Sequence, residues 1–139
     1  MTKFTDSQND GEELATASPL PAGAVPLNSS SFAAASINTA TLAATPFQFT
    51  YISGFTITGS GATAGNNIVA TINGVAGAPL NYVVAVPTGV TTGMLPIMIT
   101  FGIPLQSTAV NTAITVTVPS FGTGNTHAAV TATGFASIA

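Results

Sequence analysis

Short runs in which apolar and polar residues alternate dominate the chain from about residue 47 onward. In residues 51–58, Tyr51, Phe55 and Ile57 occupy odd positions and share one face, while threonines fall on the other face. Alternation with a period of two residues is typical of a strand that buries one side. The pattern therefore predicts a strand that ends at the glycine cluster at residues 59–61.

The same alternation recurs along the rest of the chain. Further strands are predicted at residues 68–72, 80–86, 95–101, 114–118 and 127–135, and shorter runs at 36–42 and 47–50 favour one more strand each. Asn73-Gly74 favours the positive φ angles of a type I′ turn, so a tight reversal is expected there. Six to eight short strands at this spacing predict an all-β fold, an antiparallel β-sandwich that is jelly-roll-like.

The first third of the chain has a different texture. Residues 1–14 hold every charged side chain, and residues 15–46 are rich in Ala, Ser, Thr and Pro. Proline favours extended backbone, and small polar residues leave little apolar surface to bury. The sequence therefore predicts two parts: an extended N-terminal arm over residues 1–46 and a β-sandwich domain over residues 47–139.

The near absence of charge narrows the possible functions. Among 139 residues there are one Lys or Arg and four Asp or Glu, and charged residues make up 4% of the chain against about 25% in a typical soluble domain. Nucleic-acid binding relies on Lys and Arg to neutralise phosphates, so no direct nucleic-acid partner is expected. Acid–base catalysis needs titratable side chains, and the chain beyond residue 13 offers one His and two Tyr. We therefore expect no enzymatic activity.

The sequence offers few candidate sites. His127 lacks an acidic partner that would orient it as a base, so a surface or interface histidine is the simpler interpretation; a three-fold axis that gathers three copies into a metal or pH-sensitive cluster is the alternative. The glycine-rich stretches at residues 59–65 and 122–124 lack the Lys and the following helix of a phosphate loop, which favours turns. With no cysteine in the chain, we predict no catalytic, cofactor-binding or metal site and no cofactor.

No membrane association is expected. The most apolar run, residues 94–105, is interrupted by Pro96, Gly102 and Pro104 and is shorter than the roughly 20 residues of a spanning helix. The polar, acidic start of the chain also lacks the basic and apolar regions of a signal peptide.

A surface without charge favours permanent assembly. Net charge keeps soluble monomers apart, whereas a surface of Thr, Ser, Ala, Asn and Gly meets its own copies without repulsion. Small neutral side chains also lose little rotamer entropy in a contact. We therefore expect a subunit of a large assembly, a homotrimer in which the arm reaches over a neighbouring copy.

Two stretches of the sandwich domain carry a family resemblance. The first is YISGFTITGSGATA at residues 51–64, and the second is NTAITVTVPSFGTGNTHAAV at residues 111–130, followed by Gly134-Phe135. Over residues 51–135 the chain resembles small virion-associated proteins of tailed bacteriophages. The resemblance implies a head decoration or cement protein that sits over capsomer junctions as a trimer, and it supplies no catalytic residues.

The expected function is thus a structural virion protein: a capsid decoration or cement subunit that stabilises a phage head by symmetric protein–protein contacts. Its expected partners are the major capsid protein and copies of itself, and its expected location is the capsid surface. Two alternatives stay open, a structural component of a tail or head fibre and a glycan-binding module on the virion surface.

Overall fold

The structure is a computed structural model that describes residues 23–62, 66–86 and 96–138. Within these residues the chain forms eight strands, and none of them is helical. The strands are β1 (Val25–Phe32), β2 (Asn38–Leu42), β3 (Phe49–Ser60), β4 (Asn66–Asn73), β5 (Leu80–Val86), β6 (Ile97–Gln106), β7 (Ile114–Val118) and β8 (His127–Ser137). The described part of the chain accordingly contains no helix long and apolar enough to cross a membrane.

The strands form two four-stranded antiparallel sheets. Sheet A has the order β1-β8-β3-β6, and sheet B has the order β2-β7-β4-β5. The first strand pairs with the last, the second with the seventh, the third with the sixth and the fourth with the fifth. The prediction of an all-β antiparallel sandwich is confirmed.

The core lies between the two sheets and is made by alternate residues of most strands. Fully buried positions include Ile57 of β3, which the alternation predicts on an apolar face, and also Ile72 of β4 and Val116 of β7. The core cluster also contains Phe121, from the loop between β7 and β8. The inward-facing β-branched side chains of one sheet pack against those of the other sheet, and together they form the core.

One predicted face is wrong because β3 contains a bulge. The pairing of β3 with both β6 and β8 shifts register between Ile52 and Gly54. The extra residue turns Tyr51 to the outer side, where its ring stacks on Phe135, and places Ile52 in the core beside Phe55. Tyr51 and Phe55 therefore lie on opposite faces, and not on one face as strict alternation predicts.

The predicted boundary between arm and sandwich needs correction. Residues 25–42, which the sequence assigned to the arm, contain β1 and β2, and these strands pair with β8 and β7. The sandwich therefore begins near Val25. In β1 the inward positions include Ser29 and Ser31, so the strand lacks the apolar alternation that would have revealed it. Residues 1–22 of the predicted arm lie outside the described residues.

The predicted tight turn at Asn73-Gly74 is also wrong. Ile72 pairs with Leu80, and β4 continues to Asn73, so the connection between β4 and β5 spans residues 74–79. Gly74 has the expected positive φ of 93°, but its carbonyl accepts a hydrogen bond from Thr108 N, and Val75 forms a bridge with Ser107. Contacts with a distant loop thus outweigh the local preference for a two-residue turn.

The loops meet at the two ends of the sandwich. At one end, named the His127 end here, residues 33–37, 60–62 and 119–127 are joined by hydrogen bonds such as Thr126 N to Ser60 O. At the other, named the terminal end, residues 43–48, 74–79 and 107–113 are joined by bonds such as Asn111 N to Gln48 O. The start of β1 and the end of β8 also lie at the terminal end, because Val25 pairs with Ala136.

Candidate interaction surfaces

Asn125 organises the His127 end. Its side chain is 5% exposed, and its Nδ2 donates hydrogen bonds to the carbonyl oxygens of Ser60 (2.8 Å) and His127 (2.7 Å). Its Oδ1 accepts a hydrogen bond of 3.1 Å from the backbone N–H of Ala35. One side chain therefore fixes the loop after β1, the end of β3 and the start of β8.

His127 lies on the surface of this end. Its Nδ1 is 3.2 Å from Ser60 Oγ, and its ring centroid is 5.9 Å from that of Phe32. A serine next to a histidine resembles the nucleophile and general base of a catalytic triad. Such a histidine also needs a third group that orients its ring. Among the described residues there is no Asp or Glu to do so. The geometry fits a surface histidine that ties two strand ends together.

The glycine-rich stretch at residues 122–124 forms a turn at the same end, whereas Gly59 of the first stretch belongs to strand β3. Gly122 and Gly124 have positive φ angles of 113° and 81°, and Asn125 N donates a hydrogen bond to Gly122 O. Residues 63–65 of the first stretch lie outside the described residues. Within the described residues no three His, Cys, Asp or Glu side chains lie together.

The terminal end exposes apolar side chains next to backbone that is held by hydrogen bonds. Ser107 N donates to Thr50 O (2.8 Å), and Thr50 N donates to Ser107 Oγ (3.0 Å), which joins β3 to the loop after β6. At the same end, Phe47 is 86% exposed. Its φ is 64°, in the left-handed region that few non-glycine residues adopt. Ile138 is also largely exposed at this end.

The described surface carries apolar groups without charge. Lys, Arg, Asp and Glu are absent from residues 23–62, 66–86 and 96–138. Large exposed apolar side chains occur on strands and loops, namely Phe32, Ile37, Phe47, Val83, Met98, Ile103 and Ile138. Single exposed apolar residues are common on proteins. Here they stand in surroundings of Thr, Asn, Ser and Ala, with no described charge to oppose a contact.

Some hydroxyl groups of the outer surface bond to one another across neighbouring strands. Thr39 Oγ1 lies 3.2 Å from Thr117 Oγ1 on sheet B, and Thr131 Oγ1 donates to Ser30 Oγ (3.1 Å) on sheet A. Because the hydroxyl groups of these pairs already bond to one another, the cost of removing water from them is lower.

An open cavity of about 500 Å³ lies at the edge of sheet B, lined by Asn66, Asn67, Ala85 and Val86. Two amides are suitable partners for sugar hydroxyls. An aromatic platform is absent from this described lining: Tyr51 stacks on Phe135 with ring centroids 4.7 Å apart, and Tyr82 packs edge-on against Phe55. The cavity thus has only part of a glycan site.

Comparison with known proteins adds no relative. The chain matches no protein-family model, no curated protein and no solved structure. The resemblance to phage virion proteins therefore stays a prediction, and the functional argument depends on the surfaces described above.

The role of Asn125 was not recognised from the sequence. An asparagine between two glycine turns and a strand is an ordinary loop residue in sequence. Its importance arises from three backbone groups, one of them in a loop 90 residues away. A buried asparagine that bonds to backbone at several distant points leaves no local pattern in sequence.

Proposed function

We propose that this chain is a structural subunit of a virus particle, a decoration or cement protein that binds the major capsid protein and copies of itself on the capsid surface. The observation that carries the proposal is the surface of the sandwich: its described residues include no Lys, Arg, Asp or Glu, and apolar side chains are exposed at both ends. Such a surface favours stable contacts with other proteins. The homotrimer expected from the sequence is part of the proposal.

The strand order supports this class of protein. Eight strands that pair first with last and inward from there have the arrangement of a jelly roll, so we propose that the sandwich is one. Jelly rolls occur in viral capsid proteins, and also in lectins and cupins. Since one fold serves several functions, the surface chemistry decides among them. An uncharged apolar surface supports a structural role over catalysis.

The terminal end is the part that we propose meets the shell. Residues 1–22, which hold every charged side chain, precede β1, and β1 starts at this end. Phe47 and Ile138 are exposed there as well. An exposed aromatic in a left-handed conformation is a local cost that a contact with a partner explains. The exposed apolar side chains of the terminal end support a contact with a neighbouring protein there.

The decisive experiment is cryo-electron microscopy of particles of the virus that encodes the chain. We expect density for this sandwich on the head, at a fixed number of copies per capsomer, with the terminal end towards the shell. Particles that lack the chain when its gene is expressed would refute the proposal. Density on the tail or on a head fibre would replace it by that alternative.

The glycan-binding alternative has its own test at the Asn66–Asn67 cavity. If the cavity is a sugar site, a glycan array should show binding by the purified chain, and Asn67→Ala should abolish that binding. Binding that survives this substitution would move the sugar elsewhere on the surface. The absence of binding to any glycan would leave the cavity without this role.

A further inference from the structure

Strand β5 is an edge of sheet B and has a neighbouring strand on one side only among the described residues. It pairs with β4 on one side only, in continuous register from Leu80 to Val86. In an antiparallel edge strand about half of the backbone N–H and C=O groups point away from the sheet. Among the described residues, no backbone group hydrogen-bonds to that outer side of β5.

The other three edge strands carry features that hinder pairing. Strand β1 contains Pro26, and strand β6 contains Pro104. The last carbonyl oxygen of β6, at Gln106, also accepts a hydrogen bond from the N–H of Ala76. In β2 the N–H of Thr41 is bonded to Ser29 Oγ. Proteins commonly protect edge strands with proline, charge or bulges. Strand β5 has none of these, and its sequence is LNYVVAV.

We propose that two copies of the chain pair through β5, antiparallel about a two-fold axis at Val83, so that two B sheets become one eight-stranded sheet. Val83 is the middle residue of β5 and is 72% exposed. The proposal concerns the chain alone and does not depend on the virion role. Both ends of the sandwich stay free, so the contact is compatible with a trimer formed elsewhere on the molecule.

The strand is self-complementary in this register. With Val83 opposite Val83 of the second copy, Asn81 lies opposite Ala85 and Tyr82 lies opposite Val84. Residues that face the core in one copy then meet residues that face the core in the other, because antiparallel partners point to the same side of a sheet. The alternation of exposed and buried positions along β5 thus continues across the axis.

A second copy is the occupant that the chemistry favours. An edge of backbone N–H and C=O groups accepts another extended strand. Val69 of β4 lies directly beside Val83 on the outer face, so the axis would bring four valines into one apolar row. No charged side chain of the described residues lies near this row to repel an identical copy. The pair therefore gains backbone hydrogen bonds and apolar burial without separating any ion from water.

Single cysteines in the full chain test the register, because the chain has no cysteine of its own. Directly opposite Cα atoms in antiparallel strands lie about 4.5–5.5 Å apart, within the range that a disulfide spans. Val83→Cys should therefore form a covalent dimer on mild oxidation at micromolar concentration. Asn81→Cys is the matched control, since two copies of residue 81 would lie about 14 Å apart along the strands.

We expect at least about tenfold more dimer from Val83→Cys than from Asn81→Cys, because pairing raises the local thiol concentration. A mixture of Asn81→Cys and Ala85→Cys chains should cross-link, although neither variant does so alone. Equal and slow cross-linking of all three variants would overturn the proposal. If Asn81→Cys cross-links with itself while Val83→Cys does not, the register that places Val83 opposite Val83 is wrong.

A charge variant provides an independent test. Val83→Lys places two like charges opposite each other at the axis and should shift the chain towards monomers in analytical ultracentrifugation. Met98→Lys makes the same change on the edge strand β6, where Met98 is 69% exposed, and should leave this association unchanged. An equimolar mixture of Val83→Lys and Val83→Glu should associate again. Association of Val83→Lys equal to that of the unmodified chain would refute the pairing.

Discussion

The side-chain nitrogen Nδ2 of Asn125 donates a hydrogen bond of 2.8 Å to the carbonyl oxygen of Ser60, 65 residues earlier in the chain. The contact joins the end of β3 to the loop that precedes β8. Those two strands are neighbours at the centre of sheet A. A single amide thus aligns the ends of the two central strands and holds the surface around His127 in place.

Asn125→Ala should therefore lower the free energy of unfolding by about 2–3 kcal/mol, because it removes a partner from the His127 carbonyl and the Ala35 N–H at once. Urea unfolding followed by circular dichroism measures the change. Asn67→Ala, at an exposed asparagine of β4, is the control and should change stability by less than about 0.5 kcal/mol. Equal unfolding midpoints for the two variants would contradict the role of Asn125.

Thr50 offers the opposite outcome, a stabilising substitution. Its side chain is fully buried, and its Oγ1 has no hydrogen-bond partner among the described residues. Thr50→Val replaces an unpaired hydroxyl by a methyl group of similar size and should raise the free energy of unfolding by about 1 kcal/mol.

Ser107→Ala is the comparison, because that hydroxyl accepts a hydrogen bond from Thr50 N and donates one to Ala109 O. Its loss should cost about 1–2 kcal/mol. Thermal melts of both variants give the signs directly. A Thr50→Val protein that melts below the unmodified chain would show that the hydroxyl has a partner after all.

Gly59 leaves the space that the Phe121 ring fills. A Cβ at residue 59 would overlap this buried ring, and it would also lie 2.7 Å from the carbonyl oxygen of His127. Gly59→Ala should therefore destabilise the fold by about 1–3 kcal/mol through overpacking. At Gly102 no atom of the described residues lies within 4 Å of an added Cβ, so Gly102→Ala should be close to neutral in the same melting experiment. Similar melting temperatures would argue against close packing at Gly59.

Two truncations separate the charged segment from the sandwich. Removal of residues 1–22 leaves all eight strands and should preserve the cooperative melt, while lowering the number of copies bound to capsids. Removal of residues 1–46 deletes β1 and β2, exposes the edges of β8 and β7, and should prevent folding. Full occupancy by the shorter truncation would refute a role of the charged segment in attachment, and a folded product of the longer one would contradict the strand assignment.

Substitutions of exposed apolar residues at the two ends test the proposal that the terminal end meets the shell. Phe47→Ser, at the terminal end, should reduce capsid occupancy severalfold while stability changes by less than about 0.5 kcal/mol. Ile37→Ser, at a residue 68% exposed at the His127 end, is the matched control and should bind normally. Loss of binding by Ile37→Ser instead would reverse the orientation.

Much of the sandwich could be predicted from local pattern. Strands β4, β5 and β7 alternate cleanly because each has one face in the core, so side-chain period and burial coincide. Strand β1 escaped prediction because its inward positions include Ser29 and Ser31, whose small side chains lie near β2, at an edge of the sandwich. The candidate surfaces divide in the same way. The lack of charge is visible in the sequence, whereas the edge position of β5 depends on the order of the strands in sheet B.

The sequence by itself determined that the chain forms strands and that residues 14–139 contain no Lys, Arg, Asp or Glu. Alternation depends on residues that are close in the chain, and composition depends on no contact at all. Only the tertiary structure decided the order of the strands, the bulge that turns Tyr51 outward and the convergence of backbone groups on Asn125. These features arise from contacts between residues far apart in the chain, and each contact depends on the whole set of strand pairings.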